Sequence, residues 1–126
     1  MESKASQLTR LIQQSIQQHK KKEDELKARL LSNFYGYFEV YAKDLIKVQV
    51  IIGEYERTLK FISVAQAETI EQYLIERRQV ILNSILEDNV LGTSSDPFFN
   101  LKYMVTFDVN RKIALDLYNW IKILKS

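Results

Sequence analysis

Residues 26–62 read LKARLLSNFYGYFEVYAKDLIKVQVIIGEYERTLKFI, and the reading of this stretch decides the fold. Leu26, Leu30, Phe34, Tyr37, Tyr41, Leu45, Val48, Ile52, Tyr55, Leu59 and Ile62 follow one another at steps of three or four residues. That spacing stacks apolar side chains along one face of an α-helix. Leu31, Tyr35, Phe38, Ala42, Ile46 and Val50 form a second stripe beside the first. A helix apolar over so much of its circumference needs packing on more than one side. No proline interrupts the run, and only Gly36 and Gly53 could loosen it.

As a single helix these residues would span about 55 Å at 1.5 Å per residue. A folded domain of this chain length has a radius of gyration of only about 14 Å. We read the ladder as one long helix, with Ser32-Asn33, Gly53 and Thr58 as its weakest points. On that reading part of the apolar surface needs a second chain.

The remaining composition agrees with a helical domain. A chain of 126 residues, 46% apolar and 27% charged, can bury one core without disulfides or metal. Three glycines and one proline are too few for a turn-rich β architecture. Cysteine is absent, which excludes a disulfide framework, a thiolate nucleophile and a Cys-type zinc site. The N-terminal residues lack the apolar core of a secretory signal, and the run Val48 to Ile52 is far too short to cross a bilayer. The expectation is an intracellular protein with no membrane span.

Before the ladder, Ala5, Leu8, Leu11, Ile12 and Ile16 form a narrow stripe among glutamines and serines. Such a stripe suits a coiled-coil seam or a helix leaning on a partner. Residues 1–22 therefore read as an amphipathic arm and residues 23–126 as a helical body. Six consecutive charges, Lys20 to Glu25, join the two. After the ladder, Ser63-Val64-Ala65-Gln66 has the form of a capping box, opening a helix with Val64, Ala67, Ile70, Leu74, Ile75, Ile81, Leu82, Ile85 and Leu86 inward. Gly92 to Pro97 reads as a loop, with Asp96 as N-cap and Pro97 at the first helical position. Residues 103–107 read either as helix or as an extended segment. Asp108 then caps a last helix bearing Val109, Ile113, Leu117, Trp120, Ile121 and Leu124.

Candidate chemistry is sparse. His19 is the only histidine and has neither a second histidine nor a Glu-x-x-His pair, so an exposed histidine is the expectation and no metal site is read. Glu54, Glu56, Glu68, Glu71 and Glu76 fall on polar faces near Arg57, Arg77 and Arg78, and read as solvated ion pairs. No glycine-rich phosphate loop or serine elbow exists, so no cofactor, catalytic residue or small-molecule substrate is assigned. The net charge of +2 is uneven, with positive ends and a negative third quarter.

These readings converge on an all-α, elongated helical hairpin or bundle of four to five helices with one long central helix. The expected task is non-enzymatic assembly with a second copy or a helical partner, through Leu8, Leu11, Ile12, Ile16, Phe34, Tyr37, Tyr41 and Leu45. The alternative is nucleic-acid binding through Arg10, Lys20, Lys21, Lys22, Arg111 and Lys112, since clustered positive charge binds phosphate by releasing counterions.

Overall fold

The computed structural model describes residues 3–32, 38–91 and 97–126, and every regular element among them is helical. Helix α1 spans Lys4–Ser32, α2 Phe38–Ile62, α3 Ala67–Leu91 and α4 Pro97–Lys125. At 25 or 29 residues, each helix is about 37–44 Å long, which makes an elongated four-helix bundle.

The ladder does not form the single central helix that its spacing suggests. It is divided between α1 and α2, which pack antiparallel: Lys20 meets Glu56 at 3.2 Å, and the Arg29 guanidinium lies 5.7 Å from the Tyr41 ring centroid. Leu26 from α1 is buried with Val48 and Ile52 from α2, and Tyr41 and Leu45 pack against them. Folding the ladder back on itself lets its rungs bury one another within one molecule. Each fully covered Leu or Ile contributes about 1.5–3 kcal/mol of transfer free energy. Phe34, Gly36 and Tyr37 lie outside the described residues.

Helices α3 and α4 form a second antiparallel pair, joined by Arg78 Nε donating to the Ala114 carbonyl at 3.4 Å and by Lys125–Glu71 at 3.7 Å. The two pairs meet chiefly through α2 and α4. These run parallel, since Lys47 reaches Asp108 and Tyr55 reaches Asp116 with the same offset of 61 residues. The main core combines Leu8, Ile12 and Ile16 of α1 with Tyr55 of α2, Leu74 of α3, and Leu117 and Trp120 of α4. Leu8 and Ile12 are wholly buried, and the division drawn between residues 22 and 23 falls inside an unbroken helix.

Local expectations fare unevenly. Gly53 and Thr58 do not break α2, and the buried Thr58 hydroxyl is satisfied by donating to the Glu54 carbonyl at 3.0 Å. Ser63 does not cap α3. Its Oγ donates back to the Lys60 carbonyl at 2.7 Å, while α3 begins at Ala67 and Ile70 N–H bonds Gln66 O. Val64 is consequently 84% exposed rather than inward. Residues 103–107 are helical, and Asp108 lies inside α4 instead of capping it, its carboxylate drawn to Lys47 Nζ at 2.6 Å. Pro97 does take the first position of its helix, where its missing N–H has no bond to lose.

Candidate functional site

Three consecutive residues of α2 organise the polar interior. Successive side chains on an α-helix diverge by about 100°, so Gly53, Glu54 and Tyr55 address three different surroundings. Nothing lies within 4 Å of the place where a Cβ on Gly53 would sit. Glu54 turns toward α3, and Tyr55 turns toward α1 and α4.

Glu54 is 4% exposed, so the solvated ion pair expected here is a buried one. Arg77 of α3 forks onto it, Nε to Oε1 at 2.5 Å and Nη2 to Oε2 at 3.0 Å, and Arg57 adds Nη2 to Oε2 at 3.1 Å. The bidentate fork is the geometry in which guanidinium and carboxylate satisfy each other best. The bond to Glu54 raises the Arg77 pKa above its ordinary value, against the opposing effect of burial.

Tyr55 is wholly buried, and its hydroxyl donates to Asp116 Oδ2 on α4. Its ring meets Trp120 edge-on at 5.0 Å and His19 edge-on at 5.6 Å. His19 is therefore half-buried rather than free on the surface, with Nδ1 2.6 Å from the Ser15 carbonyl. Burial pushes the Asp116 pKa above the usual carboxylate range, and the neighbouring His19 opposes that shift. Lys112, 46% exposed, reaches the other carboxylate oxygen at 3.2 Å. Asp108, on the surface, behaves oppositely: the hydrogen bond from Lys47 holds its pKa below the ordinary value, assisted by the charges of Lys47, Lys43 and Arg111.

No buried side-chain nitrogen or oxygen lacks a partner, and no three of His, Cys, Asp and Glu converge as a metal would require, among the described residues. No helix among them is long and apolar enough to cross a membrane.

The residues expected to assemble are scattered by the fold. Leu8, Ile12 and Ile16 are buried in the chain's own core, Leu11 is 41% exposed, and Tyr41 and Leu45 are half-buried between α1 and α2. Of the basic set, Lys20 is paired with Glu56, Lys112 with Asp116, and Arg111 lies over the Phe107 ring at 5.6 Å. Arg10, Lys21 and Lys22 are exposed on α1. The apolar groups that do reach the surface include Leu31, Ile46 and Val50, all from the second stripe, together with Leu115 and Tyr118 on α4.

Sequence reasoning passed over Glu54, Arg77 and Asp116 as structural groups. The structure shows where the first belongs. Glu54 stands three residues after Ile51 and four before Thr58, both buried, so it occupies an inward position of the helix. Compared with family models, with curated proteins and with solved structures, the chain matches none.

Proposed function

We propose that this protein is a non-enzymatic helical assembly module whose contact surface is the outer stripe of α2. The observation that carries the reading is that Ile46 and Val50, one turn apart, are 48% and 45% exposed. They belong to the stripe whose width calls for packing on a second side. Gly53 continues the same line, and with open space about its Cα it lets another backbone approach closely. Leu31, 88% exposed near the end of α1, is a further exposed member of the same sequence stripe.

A second copy placing its own α2 stripe on this one is the arrangement we propose, a two-fold contact in which the same patch serves both partners. Light scattering at micromolar concentration is expected to give the mass of a dimer or larger species. Ile46→Glu combined with Val50→Glu is expected to return the monomer with its helicity intact. A monomeric wild type overturns the reading. Phosphate binding has less support as an alternative, since Lys20 and Lys112 are already held by carboxylates.

A further inference from the structure

A second surface, between α3 and α4, has a different chemistry. Leu82 and Ile85 of α3 and Leu115 and Tyr118 of α4 line an open groove of about 280 Å³. Leu115 and Tyr118 are 57% and 45% exposed. Arg78 and Lys122 both lie over the Tyr118 ring, at 5.1 and 5.4 Å, and Arg111 lies over Phe107. None of these three cations is within ion-pair distance of a carboxylate among the described residues.

That combination selects an occupant. A guanidinium stacked on a ring uses its face; Arg78 spends its Nε–H on the Ala114 carbonyl, which leaves its two Nη groups, and the whole N–H edge of Arg111, for carboxylates. An aliphatic floor between such edges suits leucine-type side chains flanked by acids. From Arg111 to Lys122 the α4 rim runs about 16 Å, which is three turns of helix. We propose that this groove docks an acidic amphipathic helix of a partner protein, its apolar face on Leu82, Ile85 and Leu115 and its carboxylates on Arg78, Arg111 and Lys122. Bases and phosphates would leave the aliphatic floor uncovered, which disfavours a nucleic acid. The inference stands apart from self-association through α2, because a monomer retains this groove whole.

The test is fluorescence anisotropy on the full chain with labelled helical peptides of about 14 residues, long enough to cover the rim. One peptide carries a leucine stripe flanked by glutamates. A second replaces the glutamates with glutamines, and a third replaces the leucines with alanines. The first is expected to bind at least about tenfold more tightly than either control, a difference of 1.4 kcal/mol. Arg111→Gln, Arg78→Gln and Leu115→Gln should each weaken it by about tenfold, while Lys21→Gln on α1 leaves it unchanged. Leu115 is exposed, so its variant should keep the wild-type circular dichroism; the arginine variants give an independent reading. Equal binding of all three peptides, or tighter binding of a thymidine oligonucleotide through the same arginines, overturns the proposal. So does a wild-type oligomer that dissociates in Arg78→Gln, which would assign the groove to a second copy.

Discussion

Glu54 and Tyr55 are neighbours in the chain and belong to opposite ways of settling a carboxylate, the first buried and the second half-buried. The Glu54 carboxylate meets two guanidinium groups, so its charge is answered by charge. The Asp116 carboxylate meets the Tyr55 hydroxyl inside the bundle and only the half-exposed Lys112 at its margin. The first arrangement gives both carboxylate oxygens N–H donors. The second leaves burial dominant and lifts the pKa. The Glu54–Arg77 ion pair thus ties α2 to α3 beside the stacked Phe61 and Tyr73 rings, and the Tyr55–Asp116 hydrogen bond ties α2 to α4 beside the surface Lys47–Asp108 pair.

The largest expected effect comes from breaking the ion pair. Arg77→Leu leaves Glu54 with Arg57 alone and should cost about 3 kcal/mol in urea unfolding, the low end for a broken buried pair because Arg77 is itself 35% exposed. Glu54→Leu with Arg77→Leu together should cost far less than Arg77→Leu by itself, since no uncompensated charge is left behind. A double variant as damaged as the single would mean that packing, not charge, sets the loss.

Asp116 gives the smaller, pH-dependent half of the comparison. Its pKa is raised in the folded state, so between the unfolded and folded values the native protein holds more protons than the unfolded chain. Its ionisation therefore costs stability as pH rises through that window, and the cost is absent below the unfolded pKa. Asp116→Asn keeps an acceptor for the Tyr55 hydroxyl without the charge. The variant should equal the wild type or exceed it by up to about 1 kcal/mol at neutral pH, with the gap closing as pH is lowered. A gap that widened on acidification would reverse the assignment. The smallest effect is at the third direction. Gly53→Ala should stabilise the monomer by about 0.5–1 kcal/mol, because the helix is continuous there and the Cβ meets nothing. If α2 faces a second copy, the same change should weaken association.

What was legible from the sequence was periodicity. The rungs Leu26, Val48, Ile52, Tyr55 and Ile62 are all buried, and Ile70, Leu74, Ile113 and Leu117 likewise face the core. Apolar spacing is a local signal, complete within one helix. The chain reversal between α1 and α2 was hidden because the ladder keeps its three-and-four spacing across it. Asp108 and Ser63 misled for a related reason: each residue type caps helices, yet each found a better bond elsewhere, Asp108 with a lysine 61 residues away and Ser63 with the preceding turn. The Glu54–Arg77 and Tyr55–Asp116 contacts depend on partners 23 and 61 residues distant, which no local pattern specifies. The apolar stripe at Ile46 and Val50 was visible as a need for further packing.

The offset between those two partners also orders events during synthesis. A ribosome adding about 5–20 residues per second delivers Arg77 about 1–5 s after Glu54, but delivers Asp116 about 3–12 s after Tyr55. For that interval the growing chain contains both members of the Glu54–Arg77 pair but not yet the acid that accepts from Tyr55.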